Sequence, residues 1–449
     1  MYNLCIKNGT IVTEDKTFQG NIYVTNDKIE KIDDSQMVIL PSETVIDANG
    51  KYVFPGFIDP HVHLNDPGLT ESEDFYTGTA SAAAGGITTV LEHPLTFPLP
   101  SDVEALSQKR DIGNAKAVVD FCLWGALTPD NYEQVDDMID WGVIAFKAFM
   151  PYSVEIPQVN DGELLKHMRQ LGERDILLGI HCENDAIVRT CTDEARKEGL
   201  TSVMDYEKGR PVLAEVEAAT RVCLLAEESK CKAHVVHCSS KGAVDVVNRF
   251  RNKGVDVSVE TCSHYFRLNQ DHLHDLGAFG ICNPPIRSKL MMVEIEDLIL
   301  KGQIDFVGSD HATYTFEEKE IIDNDIFTVP AGLTGIQTVF PLLYQLRDKG
   351  LSLNDFVKLS STNAAKRFKL YPKKGCLQVG SDADITILDP NTTYEINEDH
   401  LLYKMKWSPY MGYKLKGKVD YTIVRGEVVY DGHIKVKPGY GQFVKGDHR

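Results

Sequence analysis

Eight short apolar runs, each followed by a polar or helical stretch, constrain this chain more than any other feature. They read YVFPGFIDPHVH, ITTVLEHP, AVVDFCLWGAL, VIAFKAFM, ILLGIHCEN, AHVVHCSS, DVSVETCSHY and IDFVGSDHA. Between them lie helical patterns such as EDFYTGTASAAAG, PDNYEQVDDMIDWG and EVEAATRVCLLAEE. Strands alternating with helices build a parallel sheet, and strands apolar on both faces are buried on both faces. Eight of them favour a closed (β/α)8 TIM barrel over an open sheet. Such a barrel takes about 250 residues, and the chain has 449, so a smaller second unit is required.

That unit is expected from the chain ends. LCIKNGTIVTED, GNIYVTNDKIEKI and ETVIDANGKYV alternate as short strands with Asn-Gly and Asn-Asp turns, and GSDADITILDP, KVDYTIVRGEVVYDG and HIKVKPG repeat the texture after helical patterns at 333–349 and 352–368. Neither end alone has enough strands to bury a face. The two are predicted to meet in one small β-sandwich, residues 1–52 with 373–449, around a barrel at 53–372.

Composition narrows the partners. A formal net charge of −19 repels phosphate backbones and excludes a nucleic-acid role. No run of 18 apolar residues offers a membrane span, and MYNLCIKNGTIV is not a secretion signal, so a cytoplasmic location is expected. The ten cysteines contain no CxxC pair and read as reduced, packing thiols. Cys182 and Cys238 follow histidines, but strand alternation sends them to the opposite face.

The chemistry lies at the ends of the runs. His61 and His63 are two apart, so both imidazoles share one side of a strand, while Lys147, His181, His237 and Asp310 stand late in the fourth, fifth, sixth and eighth runs. TIM-barrel active sites form at C-terminal strand ends, where these six would converge. A lone strand histidine is usually structural; the set has no comparable bland explanation. An unpaired ammonium is costly to bury beside cations, but a lysine carbamate is an anionic oxygen ligand that can bridge two of them. Two divalent ions so bridged would acidify water and polarise a carbonyl, with Asp310 both a ligand and the proton carrier. Histidine, carbamate and aspartate suit zinc, the expected metal, and also manganese, cobalt and iron. His93 and His264 end runs without an assigned role.

With PGFIDPHVHLNDPG, AAAGGITTV, FKAFM, HCEN, HCSS, VETCSHY, CNPPIR and SDHA in this order, the chain resembles the cyclic amidohydrolases over nearly its full length. That group includes allantoinases, hydantoinases, dihydropyrimidinases and dihydroorotases. The resemblance implies a TIM barrel with a terminal β-sandwich, the six residues above on two divalent ions with Lys147 carboxylated, and a homotetramer. HVHLNDPG, GLTGIQ at 332–337 and the tail SPYMGYKLKGKVDYTIVRGEVVYDG are most similar to allantoinases, implying a cyclic ureide as substrate and ring opening of allantoin to allantoate. Tyr152, five residues after Lys147, stands where hydantoinases carry an oxyanion-stabilising tyrosine, which keeps hydantoin or dihydropyrimidine hydrolysis as the alternative. Dihydroorotases have HxHxR; here the arginine position holds Asn65, so a carboxylate clamp is missing. Ser263 and SDHATY also depart from the family's usual proline and SDHSP forms. Asn65, Asn283 and the backbone of 331–335 are the candidate substrate contacts. A catalytically inactive hydantoinase-like scaffold is the non-enzyme alternative, and the six surviving donors argue against it.

Overall fold

The computed structural model describes residues 1–34 and 39–448. The N-terminal segment forms β1 (Tyr2–Val12), β2 (Thr17–Thr25), β3 (Lys28–Asp33), β4 (Ser42–Asp47) and β5 (Tyr52–Pro55). Asn26, in the tight turn from β2 to β3, adopts a left-handed φ of 54°, a conformation asparagine tolerates better than most residues. The first apolar run then divides: its start is β5, and after Gly56 the chain enters the barrel. A Cβ at Gly56 would lie 2.2 Å from the Thr88 hydroxyl, so only glycine lets the two units approach this closely.

The barrel strands are β6 (Phe57–Val62), β7 (Ile87–Glu92), β8 (Asp120–Ala126), β9 (Ala145–Phe149), β10 (Leu177–His181), β11 (Lys232–Val235), β12 (Val257–Cys262) and β13 (Phe306–Gly308), one at each predicted run, with β11 starting one residue before its run. They pair in parallel and in sequence order. Every residue of β6, β7, β8, β10 and β12 is buried, as the continuous apolarity required. Closure comes from the Asp310 N–H donating to the His61 carbonyl at 2.9 Å and the His63 N–H to the His311 carbonyl at 2.8 Å. The seam of the barrel therefore runs through three of the candidate site residues.

The C-terminal strands are β14 (Ile385–Glu395), β15 (Lys414–Val424) and β16 (Glu427–Tyr430). β14 pairs antiparallel with β5, making one mixed sheet in the order β16-β15-β14-β5-β1-β2-β3, with β4 on β1. The expected union of chain ends is thus a continuous hydrogen-bonded sheet. On one face Ile6, Ile22, Val53, Ile385 and Ile387 form a separate core, while Phe54, Leu388, Val424 and Val429 join the large barrel core. Past the last strand the tail returns to the barrel, where Phe121 of β8 exchanges backbone hydrogen bonds with Gln442 and Val444.

One predicted helix starts late. The pattern at 333–349 becomes helical only at Val339, because Leu333 bridges His311 and the Gly335 N–H donates to His311 Nδ1 at 3.1 Å. These bonds hold GLTGIQ against the barrel mouth. Among the described residues no helix is long and apolar enough to cross a membrane.

Candidate metal centre

The six donor residues arrive at one end of the barrel from five strands or the turns just beyond them. His61 lies in β6 with His63 just past it, Lys147 in β9 and His181 at the end of β10; His237 and Asp310 lie two residues beyond β11 and β13. Those last two have left-handed backbones, with φ of 38° and 49°. Such a conformation costs on the order of 1–3 kcal/mol for a residue other than glycine and persists where surrounding contacts impose it. Here the barrel closure and the Glu260 carboxylate impose it: Glu260 accepts the His237 N–H at 3.2 Å.

Asp310 Oδ1 sits 3.2 Å from His61 Nε2 and 3.4 Å from His63 Nε2. The rings of His61 and His237 are 5.3 Å apart and those of His181 and His237 4.5 Å. Donor atoms of His61, His237 and Asp310 all fall within 4.8 Å of one another. Yet His61 Nε2, His63 Nδ1, His237 Nδ1 and Lys147 Nζ are buried without a hydrogen-bond partner. Buried polar atoms are normally paired, so a cluster of unmet donors and lone pairs is a site built for something else to complete. A divalent cation fits it: imidazole nitrogens, a carboxylate and a lysine able to become an anionic carbamate are its natural ligands.

Electrostatics agree with that fit. Burial, and then the Lys147 charge, push the His61 imidazole down to about 4, so it is neutral and free to ligate. Burial alone would raise Asp310, but His61, His63 and His237 outweigh it and hold the carboxyl well below its ordinary range. For Lys147 burial dominates, and its ammonium is lowered to about 8 despite Asp310 and Glu260. Half of this lysine is then the nucleophilic free amine near pH 8, the form that captures carbon dioxide.

Three carboxylates behind the donors escaped the sequence reading. Glu260 accepts from His61 Nδ1 at 2.5 Å, Glu183 bonds His181 Nε2 at 2.7 Å, and Asp59 accepts the His61 N–H at 3.2 Å. Each fixes a ring or its backbone, as carboxylates behind ligand histidines generally do. A signal was present for two of them: Asp59 and Glu183 stand two residues from His61 and His181, the spacing that shares one strand face. Glu183 also pairs with Arg210, a cation that lines the cavity and was likewise missed. Burial pushes Asp59 up to about 7, only partly offset by its bonds from Ser309 and His61.

Above the donors opens a cavity of ≈ 320 Å³, walled by Tyr152, Tyr206, Arg210, Asn283, Tyr314 and the backbone of 329–332 among others. A larger surface cavity, ≈ 550 Å³ beside Asp140, Arg174 and residues 445–448, holds none of the His/Cys/Asp/Glu clusters seen among the described residues. Tyr152 reaches the functional cavity from an exposed loop, its N–H held by Asp185 at 2.9 Å. Asn283 lines it and accepts from the Tyr206 hydroxyl at 2.8 Å. Asn65 does not line it. That residue is buried and its amide donates to Ser72 Oγ at 2.9 Å and the Thr313 carbonyl at 3.0 Å, so its donors brace two loops instead of facing a ligand. Cys182 and Cys238 lie in the apolar core, their thiols pushed well above the ordinary range by burial. All ten cysteines are free. His264 is buried with Nε2 unpartnered, and burial lowers it to about 4.

Known proteins share both sequence and shape with this chain. The model of the amidohydrolase family matches residues 52–429. An allantoinase from Salmonella choleraesuis is 36% identical over 453 aligned positions, covering 99% of this chain and 98% of that protein. An L-hydantoinase (dihydropyrimidinase) from Arthrobacter aurescens superposes with a TM-score of 0.96 at 33% identity, covering 99% of this chain and 100% of that one. A dihydropyrimidinase from Brevibacillus agri gives 0.93 at 32% identity, covering 100% and 99%. With strand ends, unmet donors and full-length relatives in agreement, the chain belongs to the amidohydrolase family.

Proposed function

We propose that this protein hydrolyses the C–N bond of a cyclic amide, and that its substrate is allantoin, opened to allantoate. The observation that carries the reading is the convergence of His61, His63, Lys147, His181, His237 and Asp310 beneath one small cavity, in a chain 36% identical to an allantoinase along its whole length. The six would hold two divalent ions, zinc being the expected pair, with Lys147 carboxylated between them. What such ions supply when bound is Lewis acidity, which brings water toward neutral pKa and polarises a carbonyl.

The protein's own groups do the rest. Asp310, kept ionised by its histidine neighbours, takes a proton from the attacking water and later gives it to the leaving ring nitrogen. Water thus adds across the amide: its oxygen goes to the carbonyl carbon and its proton to nitrogen. Tyr152, Asn283, Ala331 and Gly332 line the cavity; in this reading the Tyr152 hydroxyl would donate to the oxygen that gains charge, and the other three would meet the ring and its ureido arm. Arg210 offers a cation in the wall, but its Nη1 is already paired with Glu183, which weakens it as a clamp for a substrate carboxylate. Dihydroorotate should accordingly be turned over poorly.

Hydantoin or dihydropyrimidine hydrolysis is the second reading, favoured by Tyr152 in the cavity wall and by the 0.96 TM-score with an L-hydantoinase. A panel of allantoin, hydantoin, dihydrouracil and dihydroorotate on metal-replete protein separates them. Allantoin should show the highest kcat/KM; efficient turnover of dihydrouracil or 5-substituted hydantoins with little on allantoin would overturn the assignment. The free cysteines agree with a cytoplasmic location, and a homotetramer follows from the family resemblance; sedimentation of the purified protein tests the latter.

A further inference from the structure

Lys319 lies in a turn beyond β13 that its own N–H closes on the Thr315 carbonyl at 3.2 Å. Its side chain is buried, and Nζ donates to backbone carbonyls: Pro330 at 2.8 Å, Gly332 at 2.9 Å and Ile281 at 3.4 Å. Lys109 and Lys374, also buried, face carboxylates instead. A charge buried against neutral oxygens is poorly compensated, and burial lowers the Lys319 ammonium to about 7 although Cys282 and Glu318 work the other way. Either protonation state can make the two shorter bonds, because a neutral amine still has two N–H groups. The three carbonyls belong to two strips of the cavity wall. Cys282 and Asn283 follow Ile281 and line the cavity, as do Pro330, Ala331 and Gly332, whereas Lys319 stands behind them. The strips touch where the Gly332 N–H donates to the Ile281 carbonyl at 2.9 Å. Pro330 has no N–H, so its carbonyl is its one backbone anchor, and Lys319 takes it. Tyr314, another part of the wall, has its ring centroid 5.4 Å from the same nitrogen.

Resting on the reading that a cyclic amide lies against this wall, we propose that Lys319 is a positioning residue for the substrate, clamping the 281–283 and 330–332 strips in the arrangement that receives the ring. It touches neither the donor residues nor the cavity, so it acts on how tightly substrate is held and not on the proton transfers of Asp310.

Lys319→Met fills the space and donates nothing, so the Pro330 and Gly332 carbonyls must turn elsewhere for donors and the strips loosen. In metal-replete protein, KM for whichever of the four panel compounds wild type turns over best should rise roughly tenfold with kcat little changed, the signature of lost uniform binding. Hydrogen exchange reads the wall without substrate: amides of 281–283 and 331–333 should exchange roughly tenfold faster in Lys319→Met, and those of β9 and β10 at the wild-type rate. Unchanged KM, a fall in kcat at constant KM, or unchanged exchange in the two strips would overturn the proposal. Exchange that quickens equally in β9 and β10 would overturn it too, by making Lys319 a support of the whole barrel. Lys319→Gln, whose amide reaches one bond less far, gives the same comparison should the methionine variant not fold by circular dichroism. A wild type that turns over none of the four compounds would instead remove the cyclic-amide reading, and the exchange result would then decide the clamp by itself.

Discussion

Two buried clusters of charged and polar groups lie at opposite ends of the barrel strands, and they differ in whether their members have partners. At the base, where β8 begins, Lys374 reaches Asp120 and Asp384 at 2.7 Å and Asp382 at 3.2 Å; Lys28 adds to Asp382 at 2.5 Å and Arg425 to Asp120. At the mouth, His63 Nδ1, His237 Nδ1 and Lys147 Nζ are buried with no hydrogen-bond partner, and two residues sit in left-handed backbone. The lysines respond accordingly. Burial works against the charge of both, but Asp384 and Asp382 hold Lys374 above its ordinary value, while Lys147 falls to about 8. Polar burial alone does not mark function; polar burial without partners does. The base cluster joins barrel to terminal sheet, and the mouth waits for ligands.

Exchanging the chemistry of each cluster should break different properties. Asp310→Asn removes the proton carrier and keeps an oxygen, so kcat/KM should fall by on the order of 10²–10⁴-fold while thermal stability changes little. Near-normal turnover with metals retained would require another base. Lys374→Met is the mirror case: three buried carboxylates lose their shared cation, and stability should drop by about 3–5 kcal/mol, seen as a lower Tm and denaturant midpoint. Activity per folded molecule should survive, because among the described residues the cluster's ion pairs involve none that line the cavity. A stable variant would mean that Lys28 and Arg425 suffice to balance the aspartates.

Tyr152→Phe probes the edge of the mouth, where the side chain is 58% exposed and not locked by burial. A donor to the developing oxyanion is worth up to about 10²–10³ in kcat when preorganised, so this exposed one should give roughly tenfold, with KM little changed. Equal losses in kcat and KM would point to loop packing instead.

Most of the mouth was legible in the sequence, because catalytic donors at strand ends leave a periodicity of their own. HxH reads as one strand face, and the late positions of Lys147, His181, His237 and Asp310 follow the rule of C-terminal ends. The base was not legible: Asp120, Lys374 and Arg425 are separated by up to 305 residues and carry no spacing signal. Asn65 misled because the family position was informative and the side chain's direction was not; its positive φ of 58° turns it toward Ser72 and Thr313. Glu260 lay in plain view within VETC, but a lone glutamate in a strand is read as a ligand partner only once the facing histidine is placed. The first run concealed two strands for a similar reason, since the break at Gly56 is a matter of close approach to Thr88 and not of polarity.

The two lysines give the finest test, because their shifts carry opposite signs. Lys147 has a folded pKa of about 8 against an ordinary 10.5, so between those values the unfolded chain binds more protons and metal-free protein gains stability as pH rises. Lys374 is shifted upward; its contribution is complete below the ordinary value and is lost only as pH climbs through the higher folded one. Carbamate formation follows the neutral amine, whose fraction for Lys147 rises about tenfold per pH unit until near 8 and then levels off. Metal-stripped protein supplied with 13C-labelled carbon dioxide at fixed dissolved concentration should therefore show a carbamate signal, by NMR, that grows steeply from pH 6 to 8 and flattens by 9. Lys147→Arg should abolish that signal and Lys374→Arg should leave it. A signal still rising tenfold per unit above pH 9 would describe an ordinary exposed lysine, and the contrast between mouth and base would then rest on hydrogen-bond geometry alone.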